Sequence, residues 1–201
     1  KTYVRVVDYK TGTKKFSLTD VYYGLSLQLI VYLMAVESYY RARGKQVQPA
    51  GGFYFEIKLP YIGEDAEEKS RLSKFQMSGF ILAEGEAAAR FQGENKSMSI
   101  KVPKDGLTPQ GENAFSPSQM AALFGYAKKM ILRAAAQMSE GELSLNPIGE
   151  GEDIPCRHCD YHAICGFDRQ YRGNEMRPKE RIEKERFFLE IGGDDGGNEA
   201  D

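Results

Sequence analysis

The sequence predicts an α/β fold, and three observations carry that prediction. Tyr3-Val4-Arg5-Val6-Val7 is an apolar run of strand character that ends in Asp8-Tyr9-Lys10 and a turn at Thr11-Gly12-Thr13. A long amphipathic pattern follows from about Asp20 to Arg43, and then a second apolar run, Gly51-Gly52-Phe53-Tyr54-Phe55-Glu56-Ile57, reads as a buried strand beside the first. Strand, helix and strand in that order form a parallel unit, and α/β folds place their chemistry at the carboxyl ends of such strands.

Each element has a local reason. Ser17 to Asp20 resembles a capping box that starts the first helix, and Gly44 ends it. Gln46 to Ala50 reads as a polar link to the second strand. Residues 63 to 72 are charged and read as a loop or surface helix. Phe75 to Ala83 is apolar without a decisive period, and Glu86 to Phe91 reads as a short helix. Gln92 to Asn113 is rich in breakers, with a short strand near Met98 to Val102. Ser116-Pro117 opens a second long helix, with Pro favourable in its first turn, that runs to about Ser139 before Gly141. The expected organisation is a core over residues 1–145, a cysteine segment over 146–170, and a charged helix with a disordered acidic tail over 171–201.

Composition narrows the class. The 201 residues are 41% hydrophobic, enough for one sizeable core. No apolar run approaches the roughly 20 residues that span a bilayer. Net charge is −2, and five acids without a base between Glu190 and Asp201 leave the remainder near +3, which neither demands nor excludes a nucleic-acid partner. Three cysteines, all between positions 156 and 165, do not make a secreted disulfide framework, so a reducing cytoplasm is expected. The chain opens on Lys1 within a strand-like run, which reads as a piece of a longer polypeptide.

Asp8 and Lys10 stand two apart on a strand, so a carboxylate and an ammonium share one face while Tyr9 points to the other. Hard cations such as Mg²⁺ take carboxylate and carbonyl oxygens, which makes Asp8 and the Tyr9 carbonyl candidate ligands and leaves Lys10 to orient or deprotonate an attacking water. Gln28 and Tyr32, four apart on the helix, interrupt the apolar surface of Leu25, Leu29 and Leu33 and need polar partners. Together these residues read as half of a metal-dependent nuclease site. Cys156, Cys159 and Cys165, with His158 and His162 among them, read as soft-metal ligands: either a local zinc site of the three thiolates and His162, or an iron–sulfur cluster with a fourth ligand from elsewhere. Arg157, Arg169, Arg172, Arg177, Lys179 and Arg181, with Tyr161 and Tyr171, offer a phosphate-tracking surface, but the interleaved glutamates of residues 175–186 favour a solvated charged face.

Asp8-x-Lys10 on a strand followed by Gln28-x-x-x-Tyr32 on the next helix resembles the signature of the RecB-like branch of PD-(D/E)xK nucleases. Adding CxxCx5C, the stretches Asp20 to Leu29 and Ala50 to Phe55, and Pro155 to Asp168, the order resembles the C-terminal nuclease domain of the AddB (RexB) family, the nuclease-bearing partners of AddA in AddAB helicase–nucleases. The resemblance covers roughly residues 3 to 170. It implies a restriction-endonuclease-like mixed sheet flanked by helices, with Asp8 as a metal ligand, Lys10 as the catalytic lysine, and Gln28 and Tyr32 as the accessory motif. It implies a 4Fe-4S cluster on Cys156, Cys159 and Cys165 whose fourth cysteine lies upstream of Lys1, as does a further metal-binding carboxylate; the fragment alone is therefore expected to be inactive. The implied function is Mg²⁺-dependent degradation of one unwound DNA strand during double-strand break repair, in a heterodimer with an AddA-like helicase–nuclease. No GxxxxGK[ST] loop occurs, so ATP belongs to other parts. A CRISPR-associated iron–sulfur exonuclease and a non-catalytic metal-stabilised DNA-binding module are the alternatives.

Overall fold

The computed structural model of the chain describes residues 1–57, 77–92, 109–149 and 154–192. A four-stranded mixed sheet in the order β1-β2-β3-β4 organises them, built from β1 (Tyr3–Lys10), β2 (Gln48–Glu56), β3 (Ser78–Leu82) and β4 (Ala114–Phe115). β1 and β2 are parallel, β2 and β3 antiparallel, and β3 and β4 parallel. The register sets Asp8 opposite Tyr54 and Lys10 opposite Glu56, and a bulge passes Ala50 between the pairs Val4–Pro49 and Arg5–Gly51. Pro49 lies outside the β2–β3 register, which begins at Gly51, so its missing N–H costs that ladder nothing.

The sheet has two apolar faces, as its alternation requires. Val6 and Tyr54 face one cluster with Leu29, Ile30, Leu33, Phe80, Leu82 and Phe115, whereas Val7, Phe53 and Phe55 face a second with Met77, Ile81 and Ala88. Glycines let the layers approach. A Cβ on Gly52 would stand 3.1 Å from Leu29 Cβ, so its absence lets the helix that follows β1 lie directly on the sheet. A Cβ on Gly79 would meet the Gly52 carbonyl oxygen at 2.0 Å, which ties β3 closely against β2.

The helix expected over Asp20 to Arg43 is two helices. Ser17 caps α1 (Leu18–Tyr22), its Oγ accepting the Asp20 N–H at 3.3 Å. The chain then turns through Gly24 at φ 77° and Ser26 at φ 55°, and α2 (Gln28–Arg41) begins afresh. Left-handed backbone at two positions cannot continue a right-handed helix, and the break makes Gln28 the first residue of α2. β2 also starts earlier than expected, at Gln48, because the second half of the polar link pairs with β1. The undecided stretch near Phe75 to Ala83 contributes β3, and α3 (Gly85–Gln92) follows it. α4 (Pro117–Ser139) has the expected bounds, with a full capping box between Ser116 and Gln119. It packs Met120, Leu123 and Ala127 into the core, while residues 131–140 are all exposed. The expectations over residues 63–72 and 98–102, and the acidic tail beyond 192, lie outside the described residues.

The stretch expected as a solvated charged face over 175–186 is exposed at most positions, but it is also tied to the rest of the fold. Arg177 and Pro178 form β6 against β5 (Ile148–Gly149), closing the base of the cysteine segment, with the Arg177 N–H donating to the Pro147 carbonyl at 2.9 Å. Within that segment are a 3₁₀ turn, Pro155–His158, and α5 (His162–Cys165). The strap beyond β6 is bound to α1: Lys179 pairs with Asp20 at 2.8 Å, Glu180 N–H donates to Tyr23 Oη at 3.0 Å, and Ile182 N–H donates to Thr19 Oγ1 at 3.0 Å. α6 (Lys184–Ile191) then buries Phe187 and Phe188 completely or nearly so. Charges dominate this stretch by number, but three apolar side chains, Ile182, Phe187 and Phe188, decide where it packs.

Two outcomes follow for stability. Phe187→Ala should cost about 3–5 kcal/mol in urea unfolding, whereas Leu189→Ala on the exposed side of the same helix should stay within about 0.5 kcal/mol. Alkaline pH should destabilise the fold. Burial lifts the phenols of Tyr54 and Tyr126 above the ordinary tyrosine value, helped at Tyr54 by the charges of Asp8 and Asp20. Burial together with the neighbouring Glu84 and Glu86 carboxylates pushes Tyr3 up to about 12. A raised phenol contributes fully below the unfolded value of 10.0 and loses its contribution as pH rises through its folded value. Unfolding free energy should therefore fall above about pH 10, and Tyr54→Phe and Tyr126→Phe should each flatten that fall.

Candidate active site

The carboxyl end of β1 and the amino end of α2 meet. Lys10 is the last residue of β1 and Gln28 the first of α2, and the close seat of Leu29 on Gly52 brings them together. Lys10 Nζ donates to Gln28 Oε1 at 2.8 Å and stands 2.7 Å from Asp8 Oδ2. Gln28 Nε2 donates to Tyr32 Oη at 2.8 Å. The first bond fixes the carboxamide: the ammonium, a donor only, takes the amide oxygen, which leaves the amide nitrogen to donate to Tyr32. The four residues singled out by spacing therefore form one continuous line, Asp8 to Lys10 to Gln28 to Tyr32.

One atom in that line has a charge partner but no aligned hydrogen bond. Asp8 Oδ2 is buried and receives no hydrogen bond, since the Lys10 ammonium touches it as an ion pair without hydrogen-bond alignment. A carboxylate oxygen shielded from water and paired with an ammonium is also of the type that can take a hard cation. Asp8 and the adjacent Tyr9 carbonyl are the oxygens that would hold such an ion. Among the described residues, no group of three or more His, Cys, Asp or Glu side chains is arranged around a metal position. The Tyr9 side chain lies on the other side of the sheet, 66% exposed, edge-on to Phe55.

Three residues outside the Asp8, Lys10, Gln28 and Tyr32 set connect to the site. Tyr54, opposite Asp8, places its ring 5.5 Å from Lys10 Nζ and backs the ammonium with an aromatic face. Its position beside Asp8 is readable from sequence once the register of the parallel pair is assumed. Asp20 adds a second carboxylate whose charge reaches Tyr54, but it is held by Lys179 and, at 3.4 Å, by the Ser26 hydroxyl. Lys179 arrives from the strap near the other end of the chain, and no local signal indicates that approach.

The cysteines are placed together in sequence but only partly in space. Cys156 and Cys159 bracket one turn, in which the Cys159 N–H reaches the Cys156 carbonyl at 3.4 Å. All three thiols are free, Cys156 half-buried and Cys159 and Cys165 exposed. Their chemistry suits a soft metal, while no set of four local ligands including His162 is assembled among the described residues. Several bases considered as a phosphate track are engaged inside the protein: Arg177 donates to the Asn146 carbonyl, Lys179 pairs with Asp20, and Arg181 pairs with Glu183.

Comparison with known proteins agrees with this geometry. A family model described as the PD-(D/E)XK nuclease superfamily matches residues 1–166. The chain is 32% identical over 196 residues to the B component of an ATP-dependent helicase/deoxyribonuclease from Thermoanaerobacter sp. strain X514, covering 92% of this chain and 17% of that relative. Proteins of the same name are 31% identical over 199 residues in Alkaliphilus metalliredigens, covering 94% of this chain and 17% of the relative, and 32% identical over 206 residues in Carboxydothermus hydrogenoformans, covering 96% and 19%. The chain thus spans less than a fifth of the length of these curated relatives. Among the described residues no helix is long and apolar enough to cross a membrane. With a mixed sheet flanked by helices, an Asp-x-Lys pair at a strand end and a match over residues 1–166, the chain belongs to the PD-(D/E)XK nuclease superfamily.

Proposed function

We propose that the chain is the deoxyribonuclease domain of a helicase–nuclease of the AddAB type, hydrolysing phosphodiester bonds of one unwound DNA strand with Mg²⁺ while double-strand break ends are processed for recombination. The observation that carries this reading is Lys10 clamped between the solvent-shielded Asp8 Oδ2 and Gln28 Oε1 at the end of β1. The relatives' names, which join a helicase to a deoxyribonuclease, support it.

Asp8 Oδ2 and the Tyr9 carbonyl would hold the Mg²⁺. When bound, that ion supplies Lewis-acid stabilisation of phosphate charge and lowers the pKa of a bound water. The protein's own residues do the positioning. Lys10 Nζ, freed from Asp8 to the extent that the carboxylate is neutralised, presents its remaining protons to the attacking water and a non-bridging phosphate oxygen. Gln28 Oε1 keeps the ammonium at that point, and Tyr32 holds the Gln28 side chain in place by accepting from its Nε2. The Tyr54 ring closes the back of the site and keeps the ammonium in a pocket of low dielectric. By resemblance a second carboxylate comes from a preceding segment of the longer relatives, together with the fourth thiolate of a 4Fe-4S cluster on Cys156, Cys159 and Cys165. The β5–β6 closure and the strap onto α1 support a stapling role for that cluster, with binding energy acting as folding energy. An AddA-like partner supplies unwinding, and the complex works in the cytoplasm.

The test is Mg²⁺-dependent degradation of linear single-stranded DNA by the full-length polypeptide that carries this domain. Asp8→Ala should abolish cutting without loss of folding or bound iron. Lys10→Ala should lower kcat by about 10²–10³-fold, and Gln28→Ala by about 10–100-fold through loss of lysine positioning. Undiminished cutting by Asp8→Ala overturns the reading.

A further inference from the structure

We infer that Lys14 and Lys15 form a phosphate grip for the DNA strand beside the candidate active site, an inference that rests on the nuclease reading above. Both lysines lie in the loop of residues 11–15 that leaves β1 directly after Lys10. An extended chain covers at most about 3.6 Å per residue, so the Lys14 Cα lies within about 14 Å of the Lys10 Cα. A single strand crosses that distance in a few nucleotides.

The loop is fastened at its middle and at its end. Thr13 Oγ1 donates to the Glu56 carboxylate, 3.2 and 3.1 Å from its two oxygens, at the carboxyl end of β2. The Phe16 N–H donates to Ser78 Oγ at 3.3 Å, and the Phe16 ring is buried 4.7 Å from the Phe80 centroid. Between and beside these anchors Lys14 and Lys15 are exposed, and neither makes an ion pair with a described residue. A grip held in place before binding loses less entropy when the strand arrives.

Charge explains why such a grip is needed. The two ion pairs nearest the site, Asp8 with Lys10 and Asp20 with Lys179, are each neutral. A polyanionic strand gains no steering from those pairs, so its attraction to this edge must come from cations that are not already neutralised.

The test is equilibrium binding of fluorescein-labelled oligo(dT) by the intact protein in EDTA, so that binding is read without cutting, across a series of salt concentrations. The Lys14→Ala/Lys15→Ala variant should bind more weakly and lower the slope of log K against log salt by about 1.4, the value for two single-strand phosphate contacts. Lys14→Arg/Lys15→Arg should keep the parental slope. An unchanged slope and affinity in the alanine pair overturns the grip, even where the parent cuts DNA with Mg²⁺. A reduced slope in a parent that never cuts supports the grip and overturns only the nuclease reading.

Discussion

The structure depends on one half-buried cation. Lys10 stands at the junction of sheet and helix, and its ammonium is satisfied from both sides, by Asp8 on its own strand and by Gln28 on α2. A charge removed from water needs partners whose geometry is held firmly, because the Coulomb gain in a low dielectric must offset desolvation. The fold supplies that firmness through Gly52, which lets Leu29 sit against the sheet, and through Tyr32, which anchors the Gln28 side chain by accepting from its Nε2. Replacing any of these would leave a cation or a carboxylate buried with less than its full set of contacts.

Around this junction the chain is tied from a distance. The strap after β6 returns to α1 with one ion pair and two backbone hydrogen bonds, and α6 follows it into the core. The same strap closes the segment that contains the three cysteines. Whatever orders that segment therefore acts on α1, and α1 precedes the turn that sets the first residue of α2. The coupling is mechanical and short: Lys179 holds Asp20, and Asp20 accepts from Ser26, two residues before Gln28.

Most of the candidate site is legible in the sequence, for a physical reason. Strand alternation puts Asp8 and Lys10 on one face, and helical period puts Gln28 and Tyr32 on one face, so both pairs are local facts. α4 is legible as well, since Ser116, Pro117 and Gln119 carry its start and Gly141 its end. The break between α1 and α2 is not, because Gly24 is tolerated inside a helical pattern and Ser26 rarely adopts the left-handed conformation that it has here. Tyr54 escapes notice because a buried tyrosine in an apolar strand reads as core until its register with Asp8 is known. The C-terminal segment misleads because charge density masks a few decisive apolar side chains, and because long-range partners such as Asp20 and Lys179 leave no trace in local sequence.

The central proposal is that Asp8 Oδ2, shielded from water and paired with Lys10, also holds a hard cation. Anomalous diffraction from crystals of the intact protein soaked in Mn²⁺ addresses it directly. The account predicts a manganese peak within bonding distance of Asp8 Oδ2 and the Tyr9 carbonyl, with the Lys10–Gln28 and Gln28–Tyr32 hydrogen bonds retained. Well-ordered crystals with no peak at Asp8, and with Lys10 hydrogen-bonded squarely to its carboxylate, would contradict it.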